Sequence, residues 1–75
     1  MMKSHKSDLT YDPGQDRWMV ELEGRKYGLH CGEGFRLSLG EYYLPCRLEL
    51  DDTWYIVLPR ARLGLRPHEI YKVEL

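Results

Sequence analysis

Residues 29–58 read LHCGEGFRLSLGEYYLPCRLELDDTWYIVL, and two turn signals divide this stretch into three runs typical of β-strands. Gly40-Glu41 suits a two-residue hairpin turn with glycine at its first central position. Pairing across that turn places three pairs on one face: Leu39 with Tyr42, Leu37 with Leu44, and Phe35 with Cys46. The other face then holds Ser38 with Tyr43 and Arg36 with Pro45. A shift by one residue would mix the two faces, so the side chains alone predict this register.

The second turn is predicted over Asp51-Asp52-Thr53, as a three-residue loop. This loop length sets Leu50 opposite Trp54, Leu48 opposite Ile56, and Cys46 opposite Leu58. A two-residue loop would instead place Glu49 opposite Ile56. The longer loop also brings Pro45 opposite Pro59, where the partner strand ends and a missing N–H costs no ladder bond. We therefore expect two adjacent hairpins, with Cys46 as a small apolar core residue.

The remaining strand signals lie on both sides of these hairpins. Leu9–Tyr11 is a short predicted strand, followed by the turn cluster 12–16 and by an alternating strand over 17–23. Residues 24–34 contain four glycines and are predicted as a loop or as strand pieces broken by bends. We expect residues 60–67 to form a surface loop with one helical turn, and residues 70–75 to form the last strand.

Five to six short strands with tight turns predict an all-β fold, a small SH3-like barrel or a rolled antiparallel sheet, with an OB-like barrel as second choice. The 75 residues leave room for one domain, which we place at 8–75 after a flexible N-terminus at 1–7. We expect a monomer or weak self-association. No apolar run has the length of a membrane span, and the first residues lack the apolar segment of a secretory signal. A cytoplasmic protein with no membrane contact is the expectation.

The residues that could carry chemistry do not form a recognisable motif. His30 and Cys31 are neighbours, which places them on opposite faces of a strand, and the zinc-ligand spacings C-x-x-C and H-x₃-H are absent from the sequence. A Cys31–Cys46 disulfide is disfavoured in a reducing cytosol. Gly32-Glu33-Gly34 lacks the basic residue and the following helix of a phosphate-binding loop. We therefore predict no catalytic residue, no metal site and no cofactor, and expect that the protein is not an enzyme.

Two groups of residues are candidates for binding. Aromatic and arginine side chains on the predicted outer face are typical of protein contacts, and the candidate residues are Tyr43, Arg47 and Tyr55. This face is either exposed or covered by another part of the chain, and the sequence leaves both open. The alternative is a nucleic-acid surface formed by Arg60, Arg62, Arg66 and Lys72. The net charge of −1 opposes that alternative, so an unknown protein is the favoured partner.

Three segments together resemble a known family. They are Leu29-His30-Cys31-Gly32-Glu33 before a hairpin, the run from Pro45 to Asp52, and Trp54-Tyr55-Ile56-Val57. They are similar to the domain-of-unknown-function family 5348, and the resemblance covers roughly residues 8–58. It implies a small bacterial β-domain, often associated with mobile elements, with no known activity. On this basis the residues after 58 are expected to be a tail that departs from the family.

Overall fold

The computed structural model describes residues 5–75 of the chain, and these form eight antiparallel strands. The strands are β1 (Lys6–Asp12), β2 (Arg17–Leu22), β3 (Arg25–Gly28), β4 (Gly34–Leu39), β5 (Tyr42–Leu50), β6 (Trp54–Leu58), β7 (Ala61–Gly64) and β8 (Tyr71–Glu74). Within residues 5–75, no helix is long and apolar enough to cross a membrane. The predicted all-β class is therefore confirmed, but there are eight strands instead of five or six.

All eight strands belong to one sheet, in the order β3-β2-β1-β8-β4-β5-β6-β7. One face of this sheet carries the apolar residues, and their side chains form a single core cluster. Leu9, Trp18, Leu48, Ile56 and Val73 are completely buried there. Residues on one face of one sheet can bury each other in this way only if the sheet curls over them. The predicted rolled antiparallel sheet is confirmed. The barrel is not, because β3 and β7 remain as separate, unpaired edges of the described sheet.

The registers predicted for the two hairpins are confirmed. β4 and β5 pair Leu39 with Tyr42 and continue through all five pairs predicted across the Gly40 turn. Gly40 has a φ of 66°, the left-handed conformation that this turn requires at its first central position. β5 and β6 pair Leu50 with Trp54 and Leu48 with Ile56, as the three-residue loop requires. Cys46 is half-buried and packs against the core cluster.

The two additional strands lie in segments that lack a strand pattern of their own. β3 occupies the glycine-containing segment 24–34 and pairs with β2, from Met19↔Gly28 to Leu22↔Arg25. β7 occupies the predicted loop 60–67 and pairs with β6, from Tyr55↔Gly64 to Leu58↔Ala61. The helical turn expected in that loop is wrong. In both cases a neighbouring strand provides hydrogen-bond partners for a segment of only four residues. Local residue preferences do not reveal such pairing.

The first and last strands lie side by side in the middle of the sheet. β1 pairs with β8 over four residues, from Lys6↔Glu74 to Leu9↔Tyr71. The backbones of His5 and Leu75 also exchange hydrogen bonds of 3.3 and 2.7 Å. Residues 6 and 7 thus belong to β1, and His5 is bonded to Leu75, inside the segment 1–7 for which we predicted a flexible terminus. The rest of that prediction, for residues 1–4, lies outside the described residues.

Candidate functional site

The Leu29–Glu33 segment, which first suggests chemistry, is a turn anchored on the sheet. Leu29 is buried in the core, and the Glu33 N–H donates to the His30 carbonyl at 3.1 Å. The Glu33 carboxylate accepts the His30 N–H at 2.8 Å, which closes the turn a second time. Gly32 has a φ of 86°, and its N–H donates to the Leu48 carbonyl at 2.7 Å. These bonds fix the conformation of the segment and connect the chain just before β4 to β5.

Arg17, His30 and the two cysteines are the groups near this turn that could take part in chemistry. The Arg17 guanidinium lies 3.2 Å from the Leu29 carbonyl and 3.2 Å from His30 Nδ1. The side chain of Cys31 is exposed, and both cysteines are free. Burial raises the pKa of the Cys46 thiol to about 11, so this thiol stays protonated at neutral pH. Among residues 5–75, no three histidine, cysteine or acidic side chains are grouped as metal ligands would be.

The outer face of β5, β6 and β7 holds the most distinctive surface. In the sheet register Arg47, Val57 and Arg62 lie opposite one another, and Glu49, Tyr55 and Gly64 form the next row. The Arg62 guanidinium carbon lies 5.4 Å from the centre of the Tyr55 ring, a cation–π contact. Glu49 accepts a hydrogen bond of 2.7 Å from Arg47 Nε. We refer to Arg47, Tyr55, Val57 and Arg62 as the outer strip.

The outer strip is open to solvent. Each of its strands packs against its neighbours in the sheet order, and no described element crosses this face. Arg47 and Arg62 are exposed, while Tyr55 and Val57 are half-buried between them. The sequence leaves open whether this face is exposed or covered. Among the described residues, it is exposed.

Tyr43 shares the outer face but lies far from the strip. Six residues of β5 separate it from Glu49, the partner of Tyr55, which corresponds to roughly 20 Å along the strand. Its ring instead contacts Lys6, whose ammonium lies 5.6 Å from the ring centre. Both residues line an open groove of about 690 Å³ where β1 and β2 diverge. The three residues predicted for protein contact are therefore one pair, Arg47 with Tyr55, and one separate tyrosine.

The four basic residues of the nucleic-acid alternative do not form one cluster. Lys72 lies on β8, in the middle of the sheet, and its ammonium binds Asp8 at 2.6 Å. Arg66 follows β7 and lies 4.0 Å from Glu69. Only Arg60 and Arg62 remain together on the β6–β7 hairpin, at one edge of the sheet. The long-range strand order separates residues that are close in sequence.

Sequence reasoning missed that Arg62 belongs with Tyr55. The missing signal was β7 itself: once residues 61–64 are recognised as a strand paired with β6, the register places Arg62 next to Val57 and diagonally across from Tyr55. Gly64 is the other residue that was overlooked. It lies directly opposite Tyr55, and a Cβ atom added to it would meet no other atom within 4 Å. The sheet thus leaves an open notch beside the tyrosine ring.

The family model described as Domain of unknown function (DUF5348) matches residues 7–75. The chain belongs to this family. The match continues to the last residue, so the expectation that the tail after residue 58 departs from the DUF5348 pattern is wrong. β7 and β8 are formed by that tail, and β8 completes the sheet.

One solved structure supports the fold of this DUF5348 domain. A crystal structure of a protein from Ruminococcus gnavus is similar to it at 29% sequence identity with a TM-score of 0.72, covering 95% of this chain and 100% of the other. No curated protein matches the chain. The family description names no activity, so any function has to be argued from the surface of the domain itself.

Proposed function

We propose that this DUF5348 domain is a non-catalytic binding module that contacts a protein partner through the outer strip. The observation that carries the proposal is the cation–π contact of the half-buried Tyr55 with the exposed Arg62, next to the exposed Arg47. Tyrosine and arginine are enriched among the residues that dominate binding energy in protein interfaces. Here the cation–π contact already restrains both side chains, so less side-chain freedom is lost when a partner binds.

The non-catalytic part of the proposal is supported by how the reactive groups are used. The His30 ring contacts Arg17, the Glu33 carboxylate accepts a bond within its own turn, and the Cys46 thiol is protonated at neutral pH. Two free cysteines are also compatible with a reducing compartment.

The test is affinity capture with the whole protein from cells that carry its gene. A double variant, Arg47→Ala with Tyr55→Ala, removes the centre of the strip, and its fold is checked by circular dichroism. Tyr42→Ala is the matched control, since Tyr42 is 70% exposed and lies at the β4–β5 turn, outside the strip. We expect a partner that is retained by the wild type and by Tyr42→Ala but lost by the double variant. Equal retention by all three proteins would contradict the proposal.

A second measurement separates a protein partner from nucleic acid. Amide resonances of the ¹⁵N-labelled protein are followed during titration with single- and double-stranded oligonucleotides at low and moderate salt. Contacts between arginines and phosphates weaken steeply as salt increases. Shifts at Arg60 and Arg62 that appear at low salt and vanish at moderate salt would favour the nucleic-acid alternative. We expect no such shifts, because Arg66 and Lys72 face carboxylates of the protein and Arg60 and Arg62 alone are too few for a phosphate-binding surface.

A further inference from the structure

Gly64 is the last residue of β7, and the ladder continues past it to Leu65 without a structural reason for a glycine at this position. Its φ is not in the left-handed region, and no atom would obstruct a Cβ. The pairing of β6 with β7 runs without a bulge through Gly64, from Leu58↔Ala61 to the bond from the Leu65 N–H to the Trp54 carbonyl. Glycine weakens a strand interior by about 0.5–1 kcal/mol relative to alanine. One common reason for a glycine at a paired strand position is the close approach of another chain or ligand.

Around Gly64, some backbone N–H and C=O groups of β7 have no partner in the sheet, so another chain can bond to them. Trp54 and Leu65 form a hydrogen-bonded pair, as the bond of 3.1 Å between them establishes. In an antiparallel ladder such pairs alternate with non-hydrogen-bonded pairs. Gly64 and Arg62 therefore direct their N–H and C=O groups away from β6. These groups line the free edge of β7, which is the outermost strand on one side of the described sheet.

The charges along this edge select the kind of strand that could bind there. Arg60 and Arg62 lie on the β6–β7 hairpin and are exposed. Pairing of β7 with its own copy would bring these arginines together. Pairing with the other free edge of the sheet, β3, would bring them to Arg25 and Lys26. Like charges directly opposite each other destabilise a sheet, so both forms of self-association are disfavoured, and an acidic strand is complementary.

We propose that the free edge of β7 binds an extended acidic segment of a protein partner, which joins the sheet as a ninth strand. Its residue opposite Gly64 is large and apolar and fills the notch beside the Tyr55 ring. An acidic residue two positions away, on the same face, lies next to Arg62. This deepens the proposed function and rests on it, because it specifies how a protein partner engages the outer strip.

The proposal is tested with a peptide probe, acetyl-Thr-Glu-Val-Phe-Val-Glu-Thr-amide, which presents both glutamates and the phenylalanine on one face of a strand. Binding is followed by amide shifts and by hydrogen exchange of the ¹⁵N-labelled protein. We expect the Arg62 and Gly64 amides to exchange quickly in the free protein and to become protected by the peptide. Leu63 is the internal control, because its amide already pairs with Ile56.

Two altered peptides separate strand addition from simple charge attraction. The first carries N-methyl groups on the phenylalanine and glutamate nitrogens, which blocks ladder bonds to β7 and keeps the charge. The second has lysines in place of the glutamates. We expect neither to protect Arg62 and Gly64. Equal protection by the N-methylated peptide would overturn the proposal, and so would the absence of binding by the unmodified peptide in the millimolar range.

A matched pair of protein variants tests the notch. Gly64→Val fills it, while Ala61→Val places the same valine side chain on the opposite face of β7. We expect Gly64→Val to bind the peptide about tenfold more weakly and Ala61→Val to bind it as the wild type does. Unchanged affinity of a folded Gly64→Val protein would contradict the proposal. Protection of Arg62 and Gly64 that depends on protein concentration without peptide would also contradict it, since a second copy would then occupy the edge.

The two proposals fail separately. If the Arg47→Ala/Tyr55→Ala variant loses its partner but the peptide does not protect β7, the outer strip binds through side chains and only the edge proposal is wrong. If that variant keeps its partner, the proposed function itself is wrong.

Discussion

Asp16 is the residue that connects distant parts of the rolled sheet. It lies in the β1–β2 turn with a φ of 50°, a conformation that aspartate tolerates better than most residues. The Tyr11 hydroxyl and the Trp54 indole N–H both donate to its Oδ1 atom, the second at 3.1 Å. These bonds, from Tyr11 and then from Trp54, hold the pKa of Asp16 below its usual value of 3.8. One carboxylate therefore ties the first hairpin to the start of β6.

The Asp16→Asn substitution is expected to change how stability depends on pH. Because the pKa of Asp16 is lowered by folding, its contribution is complete above about pH 3.8 and is lost as the pH falls through the lowered value. The variant should be less stable than the wild type at neutral pH, and the difference should shrink in this acid window. Urea unfolding at several pH values measures both effects. Asp52→Asn, in the exposed β5–β6 turn, is the control, and an equal loss in both variants would contradict the role given to Asp16.

The two cysteines should differ strongly in reactivity. Cys31 is exposed in its turn, whereas the Cys46 thiol is half-buried and has a pKa of about 11. Since the thiolate is the reactive form, we expect iodoacetamide at mildly alkaline pH to modify Cys31 quickly and Cys46 slowly. Mass spectrometry at successive times gives both rates. Cys31→Ser should abolish the fast phase, and a fast phase that persists in this variant would show that Cys46 is accessible.

At the scale of elements, the Leu29–Glu33 turn stabilises the contact between its own segment and β5. Gly32 adopts a φ of 86°, a conformation in which a Cβ atom costs about 1–2 kcal/mol. Gly32→Ala should lower the free energy of unfolding by about that amount. Gly64→Ala is the matched control, because it adds the same methyl group in an unstrained strand and should be neutral or stabilising. Chemical denaturation of both variants measures the difference, and equal losses would contradict the distinction drawn between these glycines.

The elements also differ in how far the sequence could predict them. The β4–β5 and β5–β6 registers were predictable because apolar side chains alternate along each strand and only one pairing keeps them on one face. β7 was not predictable, and β3 was predicted only as one of two alternatives, because each has four residues, a glycine at its end and a partner that supplies the ladder.

The candidate site was predictable only where it lies within one hairpin. Arg47 and Tyr55 were placed on one face of β5 and β6 by the register. The separation of Lys72 from Arg62 and the bond from Trp54 to Asp16 depend on strand order and on contacts distant in sequence. No local pattern of residues encodes these arrangements, which arise when the whole sheet closes over its core.

At the scale of the whole molecule, β8 joins two halves of the sheet. β1, β2 and β3 form one three-stranded unit, β4 to β7 form another, and β8 pairs with β1 on one side and with β4 on the other. Val73 is completely buried at this junction and lies opposite Ser7 and Leu37. The strand is short, but it supplies the pairing between the two halves of the described sheet.

Substitutions in β8 should therefore affect the whole sheet at once. Val73→Ala should lower the free energy of unfolding by about 2 kcal/mol, since it removes buried apolar groups at the junction. Lys72→Ala is the control: its ion pair with Asp8 is exposed, and such pairs contribute little. Hydrogen exchange should show faster exchange in β1 and β4 together for Val73→Ala. An effect confined to β8 would contradict the proposed junction.

The central position of β8 also determines when this sheet can form during protein synthesis. Residues 71–74 leave the ribosome after the other seven described strands, more than thirty residues after the end of β4. At common rates of translation this interval lasts roughly 2 to 6 s. During that time the inner edges of β1 and β4 have no partner in the nascent chain and can pair with other chains. The order of the strands thus creates a brief period in which a chaperone would be most useful to this protein.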